Sequence, residues 1–381
     1  MVLPAQGCGR ALRRTLAPAI AAAAEVPTAD RYRKHFPVTA HLWILLLHTL
    51  TGSDSLRQTH ADLAGTPGAW HRLGLPDDTG ISRSQLARSS TSRPIACAET
   101  LFATIAQQAR ARAQADPDLE HLQQIQAVDS SFLRLSAALS PWSRYGGHVA
   151  GVRLHTGLDL AGTIPTALRL TLTNMHDLTA LAARDLTPLA GWTLLIDLGY
   201  DAHRLFEQLR MAEVSFVCRL QAQASYRVEA ERPVDGPPTT EGDVVLRDQT
   251  ITLGSPNNRN GAVLPGMRLV VSHNAAGTEH AFVTDRHDLR AAEVVRLYRK
   301  RWQIELFFRF LKHQLKVLQP FGTSRDAIWL TILIAATTAL IVTLIEARRP
   351  PDATRVAWLR GVGRALGSAS LRPKRSGLDT S

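Results

Sequence analysis

The sequence predicts an α/β protein: a mixed sheet flanked by helices, interrupted by a β-rich insertion and preceded by an all-helical N-terminal domain. Residues 1–117 show helical spacing of apolar side chains, and residues 122–220 alternate between strand and helix patterns. Residues 221–288 hold short alternating runs between turn clusters. A chain of 381 residues, 45% of them hydrophobic, is long enough to bury a core in several domains.

The N-terminal domain, residues 1–117, is predicted to consist of helices joined by polar loops. Pro117 and Asp118 mark its end, because proline disfavours continuation of the last helix. The predicted segments are an apolar helix at 41–50, a helix at 53–63, a loop rich in Gly, Pro and Asp at 66–80, a polar basic segment at 82–93 and a helix at 95–115.

Residues 122–220 are predicted to form most of the sheet. Three strand patterns are followed by helix, strand, helix and strand, an order that fits a mixed sheet with helices packed on it. The predicted strands are Ile125–Arg134, Val149–Asp159, 163–173, 192–197 and 214–220, and the predicted helices are 178–186 and 202–212.

The β-rich insertion is predicted at residues 221–288, after which the chain returns to the core at 289–348. Short alternating runs at 243–246, 250–253 and 267–272 predict the strands of the insertion. The returning segment is predicted to hold a long helix at 291–318 and an apolar helix at 326–347. The basic tail, residues 349–381, is expected to be flexible and to contact DNA without sequence preference.

Charge and cysteine content indicate the class of partner and the compartment. The formal net charge of +11 and the pI of about 10.3 favour a polyanionic partner, with nucleic acid ahead of a membrane surface. Cys8, Cys97 and Cys218 lie far apart and form no Cys-x-x-Cys or Cys/His motif. The sequence therefore predicts neither a zinc site nor disulfides, as in a cytosolic protein with reduced cysteines.

Two apolar stretches could alternatively be interpreted as a signal peptide and a membrane-spanning helix. Residues 16–24 follow three arginines and weakly resemble a signal peptide, but the run is mostly alanine and contains Pro18. Residues 327–345 carry no charge and are long enough to span a bilayer, yet contain four threonines. We expect the second stretch to be a buried core helix and the protein to have no membrane partner.

The predicted helix 291–318 concentrates groups that suit phosphate and metal binding. Tyr298, Glu305 and Lys312 are spaced by heptads and Arg301 lies one turn after Tyr298, so all four share one face. Glu305 is the only carboxylate between residues 296 and 316. The alternative is an ordinary amphipathic helix in which Glu305 pairs with Arg301 or Arg309.

Two aspartates stand in or after predicted buried strands. Asp129 lies inside the first strand, and Asp197 ends the apolar run 192–196. A buried carboxylate costs free energy unless it is paired or bound to a metal ion, and hard divalent ions prefer such oxygen ligands. The alternative for each aspartate alone is a cap or turn residue.

These residues carry a resemblance to bacterial insertion-sequence transposases of the DDE type, in the group with a Tyr-Arg-Glu-Lys signature. This chain matches that signature: two residues separate Tyr298 from Arg301, three separate Arg301 from Glu305, and six separate Glu305 from Lys312. Leu198 stands where a basic residue is common in the group. Further similar segments are Val128-Asp129-Ser130, Asn174-Met175-His176-Asp177, Asp197-Leu198-Gly199-Tyr200, and the N-terminal segments 41–63 and 84–93.

The resemblance implies an RNase H-like core in which Asp129, Asp197 and Glu305 bind Mg²⁺, or Mn²⁺ in its place, to cut and join DNA. Asp129 would bridge two ions, with Asp197 on one and Glu305 on the other. The implied DNA contacts at the site are Tyr298, Arg301, Lys312 and Arg309. The helical N-terminal domain is implied to bind the DNA ends with sequence specificity, and its candidate contacts are Arg57, Arg88, Arg83 and Arg93. The alternative for each of these four arginines is a solvated surface role. The implied supports of the metal ligands are His176, Asp177, Gly199 and Tyr200.

The implied partners are double-stranded DNA, as terminal inverted repeats and as target, and a second copy of the chain in a synaptic complex. The implied location is the cytoplasm, in association with the nucleoid. Some relatives hold a flipped base with an insertion-domain tryptophan, but this chain has none between Trp192 and Trp302. Tyr226 or Phe282 are the candidate substitutes. The alternatives are a nuclease that cuts without rejoining and a decayed copy that only binds DNA.

Overall fold

The computed structural model describes residues 5–31, 35–75, 80–113, 122, 124–145, 149–172, 175–234, 239, 242–255, 262–346, 349–350 and 353–368. The chain divides into two compact units, residues 1–113 with 309–381, and residues 114–308. The boundary differs from the expected one, because the apolar helix near residue 330 belongs to the unit of the N-terminal helices. Asn174, Pro117, Asp118 and residues 369–381 of the tail lie outside the described residues.

The described helices and strands are numbered in chain order. The helices are α1 (Ala5–Ala24), α2 (Val38–Thr51), α3 (Leu56–Ala64), α4 (Ala69–Arg72), α5 (Arg83–Ser92), α6 (Ala96–Arg110), α7 (Asp177–Ala182), α8 (His203–Met211), α9 (Ala291–Lys300), α10 (Trp302–Arg309), α11 (Arg325–Glu346) and α12 (Arg355–Ser368). The strands are β1 (Ile125–Arg134), β2 (Arg144–Tyr145), β3 (Val149–Asp159), β4 (Ile164–Leu172), β5 (Thr193–Ile196), β6 (Ser215–Arg219), β7 (Tyr226–Glu231), β8 (Val244–Leu253), β9 (Leu264–His273) and β10 (Glu279–Thr284).

The helices α2 and α11 form the centre of the first unit. Both are apolar around most of their circumference, and nearly every side chain of α2 is buried. Such helices belong in the core of a bundle, where they are covered on all sides. Helix α11 packs on α2 and α6, and α1 packs on α2, α6 and α12. The weakly signal-like run 16–24 is the second half of α1, in which Leu16, Ala19 and Ile20 are buried.

Helix α11 contains the stretch with a membrane alternative. It is long and apolar enough to cross a bilayer, and 78% of its most apolar window is buried inside the protein. The hydroxyls of Thr331, Thr337 and Thr338 donate to the backbone carbonyls four residues earlier, so they are satisfied within the helix. The burial agrees with the interpretation as a core helix.

Helix α12 corrects the expected flexibility of the tail over residues 355–368. Trp358, Leu359, Val362 and Leu366 are buried and lie on one side of the helix. They pack against α1 and α2, which gives this basic segment an apolar face. Composition alone concealed this face, because arginines occupy the positions between the apolar ones.

Buried His48 makes the stability of the first unit depend on pH. Burial, followed by the nearby charges of Lys316 and Arg360, lowers the pKa of His48 from 6.5 to about 4. Between these values the unfolded chain binds a proton that the folded chain excludes, so stability is lost as the pH falls from 6.5 to 4. The loss is on the order of 3 kcal/mol in the free energy of unfolding.

Urea unfolding of the wild type and His48→Gln at pH 7 and pH 4.5 measures this dependence. We expect the variant to lose less stability than the wild type over that interval, because glutamine does not titrate. His71→Gln removes an exposed histidine of the same unit and serves as the control. An equal pH dependence in the wild type and His48→Gln contradicts the prediction.

The second unit is built on a mixed sheet. Among the described residues, ten strands form it in the order β2-β3-β1-β5-β6-β10-β9-β8-β7, with β4 also paired to β3. Strands β1, β5 and β6 are mutually parallel, and the other pairings are antiparallel. All four residues of β5 are buried, as expected for a parallel strand covered on both faces.

Strands β7 to β10 come from the segment predicted as a β-rich insertion. They extend the same sheet, because β10 pairs with β6 through Phe282, Val283 and Thr284. The two short runs predicted at 243–246 and 250–253 form one strand, β8, whose pairing with β9 is interrupted by two register shifts. These irregularities explain why the alternation in the sequence looked broken.

The long helix predicted at 291–318 is divided into three parts. It is tightened at Arg301, whose amide hydrogen bonds to the carbonyl of Tyr298, three residues earlier. After α10 the chain continues as a π-helix at Phe310–Gln314. Lys316 has a left-handed backbone with φ of 52° and ends the helical segment.

Candidate active site

Asp129 lies in β1, between β3 and β5 in the mixed sheet of the second unit. The amide of Ser130 donates to its Oδ1 at 2.7 Å. Burial raises the pKa of Asp129 to about 6, and the charges of Asp197 and Asp177 add to the rise. The Ser130 hydrogen bond and Arg301 act in the opposite direction. The carboxyl therefore needs a positive group beside it to be fully ionised well below neutral pH.

Asp197 follows β5, the parallel neighbour of β1. Val128 pairs with Ile196 in this ladder, so the two aspartates come directly after paired residues and lie on adjacent strands. The Oδ1 of Asp197 accepts from the amide of Leu198 at 2.8 Å and from the hydroxyl of Tyr298 at 3.0 Å. The sheet register thus brings together the two carboxylates that the sequence singled out.

Arg301 links the helical residues to the aspartates. Its Nη2 donates to Glu305 Oε1 at 2.8 Å, and its Nη1 lies 3.5 Å from Asp129 Oδ2. The residue is 9% exposed, and burial acts to lower its pKa, but the charge of Asp197 and the other acidic neighbours leave the pKa raised. The ion pair of Glu305 with Arg301, which the sequence offered as an alternative, is present in the structure.

The carboxylate oxygens of Asp129, Asp197 and Glu305 are of a chemical type that binds divalent cations, but the three side chains are not arranged as a metal site. Within the described residues, no group of three or more His, Cys, Asp or Glu side chains is arranged to hold a metal ion. Asp129, Asp197 and Glu305 are instead connected through Arg301 and Tyr298. Carboxylate oxygens of this kind are the ligands that Mg²⁺ and Mn²⁺ prefer, so the residue types fit such an ion.

The family description "Transposase DDE domain" matches residues 120–341, which is more than half of the chain. The chain belongs to this family. Its function is DNA transposition, and as a DDE transposase it is an enzyme of the nuclease and transposase class. The match covers Asp129 in β1, Asp197 directly after β5, and Glu305 in α10.

Two curated relatives have transposase names. The y4zB protein of Sinorhizobium fredii is 27% identical over 313 residues, which are 78% of this chain and 84% of the relative. A Geobacillus stearothermophilus protein, named for the transposase of insertion sequence element IS5377, is 26% identical over 205 residues, or 54% of this chain and 52% of the relative. Among solved structures, the piggyBac transposase synaptic complex with hairpin DNA covers 96% of this chain and 80% of its own, with a TM-score of 0.48 and 9% identity.

Two tyrosines lie beside the carboxylates of this DDE transposase. Tyr298 is half-buried and Tyr200 is buried. Burial, followed by the charge of Asp197, raises the pKa of Tyr298, whose hydroxyl donates to that aspartate. Burial also raises the pKa of Tyr200 well above its usual value, with Asp177, Asp129 and Asp197 adding to the rise. Both phenols therefore stay protonated and available as donors at neutral pH.

A cavity of about 460 Å³ opens beside Tyr298 and Arg301. Phe282 is buried with its ring 4.8 Å from that of Tyr298, while Trp302 is 51% exposed at the same cavity. Tyr226, the other candidate for a base-stacking residue, is on β7, where every side chain is exposed.

The supporting residues suggested by the sequence behave differently from one another. Asp177 begins α7 and accepts a hydrogen bond from the hydroxyl of Ser130. His176 precedes α7, is exposed and makes no side-chain capping bond. A Cβ on Gly199 would meet no atom within 4 Å, so nothing in the structure explains a need for glycine there.

Two residues around Asp177 were missed from the sequence. Arg153 and His155 lie on β3 and both contact the Asp177 carboxylate, at 3.3 Å and 3.5 Å. Alternation along β3 puts them on one face, opposite Phe132 and Ser130 of β1 in the register. The alternation along β3 could have indicated that Arg153 and His155 share a face of the sheet. It could not have indicated that Asp177 of α7 lies against that face.

The remaining candidate DNA contacts lie in the first unit. Arg57 on α3, Arg88 on α5 and Arg309 are exposed, and Lys312 is half-buried in the π-helix, where burial lowers its pKa. Arg83 is exposed at the start of α5.

Arg93 does not fit the prediction of a DNA contact. Its side chain is 4% exposed and pairs with Asp30 at 2.8 Å. It also donates to the carbonyls of Ala29 and Phe36, so it fixes the chain before α2.

Proposed function

We propose that this transposase cuts the ends of an insertion-sequence element and joins them to target DNA in a metal-dependent reaction at Asp129, Asp197 and Glu305. The observation that carries the proposal is the β1–β5 pairing, which sets Asp129 and Asp197 side by side. Glu305 reaches the same place through its ion pair with Arg301, which also approaches Asp129.

The proposed core is RNase H-like, in the Tyr-Arg-Glu-Lys group. Support comes from the strand order β4-β3-β1-β5-β6. On one side of β1, the strands β3 and β4 pair in antiparallel fashion, and on the other side β5 and β6 run parallel to β1. The strands β7 to β10 would then be the insertion between the second and third carboxylates. The signature residues Tyr298, Arg301 and Glu305 share the second unit with both aspartates.

Asp129, Asp197 and Glu305 would hold the Mg²⁺ or Mn²⁺ ions, with Asp129 shared between two ions. When bound, such ions lower the pKa of a water or a 3′-hydroxyl and stabilise the leaving oxygen. The hydroxyl of Tyr298 fixes the orientation of Asp197 through their hydrogen bond. The main work of the protein is positioning and charge stabilisation.

Arg301 would bind a phosphate next to the cut. Its buried Nε has no hydrogen-bond partner among the described residues, and its Nη1 makes only the 3.5 Å ion pair with Asp129, so the guanidinium keeps donor capacity for an incoming oxygen. A lysine could not present the same planar pair of donors. Lys312 would also contact phosphates near the cut, and Arg309 would add positive charge for the DNA backbone. Arg57 and Arg88 would contact the terminal repeats, which the helical N-terminal region would bind with sequence specificity.

The proposed partners are the terminal inverted repeats, the target DNA and a second copy of the chain in a synaptic complex. The net charge of +11 supports a DNA partner, because it favours association with a polyanion. The proposed location is the cytoplasm, with the protein bound to the nucleoid.

Incubation of the wild type with DNA carrying the ends of its own element tests the proposal. We expect cleavage in Mg²⁺ or Mn²⁺ and none in excess chelator, because the carboxylates need a cation to act on phosphate. A pre-cut end, supplied with target DNA, should then be joined to the target. Cleavage without joining would favour a nuclease, and binding without either step would favour the decayed copy.

A further inference from the structure

Ser130, Arg153, His155 and Asp177 form a polar network behind the first catalytic aspartate. The strand β1 presents Asp129 to one face of the sheet and Ser130 to the other, since successive side chains alternate. Asp129 pairs with Thr156 in the register, and Ser130 pairs with His155. The network therefore lies on the opposite face of the sheet from the Asp129 carboxylate.

The network connects four elements through its hydrogen bonds. The hydroxyl of Ser130 donates to Asp177 Oδ1, and Arg153 Nη1 lies 3.1 Å from Ser130 Oγ and 3.3 Å from each Asp177 oxygen. His155 Nδ1 is 3.5 Å from Asp177, and its Nε2 is 2.8 Å from Thr171 Oγ1. Strands β1, β3 and β4 are thereby tied to the first residue of α7.

Ser130 is held at both its side chain and its backbone. The hydroxyl is fixed by Asp177 and Arg153, while the amide donates to Asp129 Oδ1 at 2.7 Å. A change in the position of the Ser130 peptide would therefore alter the direction of the Asp129 carboxylate. The network is well placed to resist such a change, because the Asp177 and His155 side chains are only 26% and 11% exposed.

We infer that Ser130, Arg153, His155 and Asp177 are positioning residues, which fix the Asp129 carboxylate through the Ser130 amide so that it meets a divalent cation correctly. The inference rests on the proposed function, in which Asp129 is a metal ligand. It assigns roles to Ser130, Arg153 and His155, and it gives Asp177 a physical task. Groups that orient metal ligands in this way typically change metal affinity or activity by about 10- to 100-fold when they are removed.

The paired variants Ser130→Ala and Ser130→Thr test the inference. Alanine removes the hydroxyl, whereas threonine keeps it and suits a strand. We expect Ser130→Ala to raise the Mn²⁺ concentration for half-maximal binding by about 10-fold or more, with Ser130→Thr close to wild type. Electron paramagnetic resonance of free Mn²⁺ measures binding without requiring turnover.

Arg153→Ala is expected to act like Ser130→Ala, because it removes the cation that holds Asp177 and Ser130 together. Arg134→Ala is its matched control, since Arg134 is an exposed arginine at the end of β1. DNA-end binding and the thermal midpoint should remain near wild type in Ser130→Ala. That combination separates positioning from a general loss of structure.

The outcomes for the network and for the proposed function are distinguishable. Equal Mn²⁺ affinity in the wild type, Ser130→Ala and Arg153→Ala overturns the positioning role, whatever the activity. Equal weakening in Ser130→Ala and Ser130→Thr overturns it also, because the hydroxyl is then irrelevant. A wild type that binds Mn²⁺ at Asp129 but cuts no element end would instead contradict the proposed function.

Discussion

Glu305→Gln is expected to lower cleavage of element ends by about a thousandfold, while binding to those ends stays within about twofold of wild type. Glutamine keeps the shape of the side chain and an oxygen that can accept from Arg301, which donates to Glu305 Oε1 at 2.8 Å. It removes the charge that a divalent cation requires. Binding is preserved because DNA affinity depends mainly on positive groups that contact phosphate.

Cleavage of labelled end DNA in Mn²⁺, with binding measured separately in chelator, gives both quantities for Glu305→Gln. Glu207→Gln is the control, because Glu207 is an exposed glutamate on α8 of the same unit. Its cleavage rate should equal that of wild type. Normal cleavage by Glu305→Gln would assign the third carboxylate to another residue and would leave the pair with Arg301 as purely structural.

The strands that carry the aspartates could be predicted from the sequence almost to the residue. Strands β1 and β3 have the predicted bounds, and β5 lies within the predicted run 192–197. Their β-branched and apolar alternation is a local signal, and local signals are enough for a strand in a well-covered sheet. The pairing of β1 with β5 was not local, so the sequence could suggest but not establish that Asp129 and Asp197 are adjacent.

The packing of the apolar helices could not be predicted in the same way. Helix α11 is buried around most of its circumference, so its periodicity does not indicate which elements surround it. The structure places it with the N-terminal helices, whereas the prediction grouped residues 289–348 with the sheet. Helix α12 was missed because its apolar face is hidden among arginines.

For the candidate site, too, local sequence patterns could be interpreted, whereas contacts between residues distant in the sequence could not be predicted. The fixed spacing of Tyr298, Arg301 and Glu305 predicted a common helical face. The hydrogen bond from Tyr298 to Asp197 joins residues 101 positions apart, so spacing could not predict it. Arg93 misled for the opposite reason, because an arginine in a basic segment looks exposed until its partner Asp30 is known.

Arg268 is the basis of the largest expected effect on stability. It is 1% exposed and pairs with Asp248 through two hydrogen bonds, of 2.9 Å from Nε and 2.7 Å from Nη2. Its Nη1 donates to the carbonyls of Arg286 and Leu289, in the loop that leads into α9. One side chain therefore joins strands β8 and β9 to the start of the helix that carries Tyr298.

Arg268→Met is expected to lower the free energy of unfolding by about 3–5 kcal/mol. The substitution keeps an apolar stem of similar length but leaves the buried Asp248 carboxylate with only its 3.5 Å ion pair to Arg232, and two loop carbonyls lose their donor. Urea unfolding followed by tryptophan fluorescence measures the loss. Arg247→Met, at an exposed arginine of β8, should change stability by no more than about 0.5 kcal/mol.

The double variant Arg268→Met with Asp248→Leu distinguishes a lost charge pair from lost packing. Removing both charges leaves no buried ion, so this variant should be more stable than Arg268→Met alone. The carbonyls of Arg286 and Leu289 remain without their donor in both proteins. If Arg268→Met lowers the cleavage rate and the double variant recovers stability but not that rate, those two hydrogen bonds set the position of α9. If cleavage recovers together with stability, Arg268 acts only through the fold.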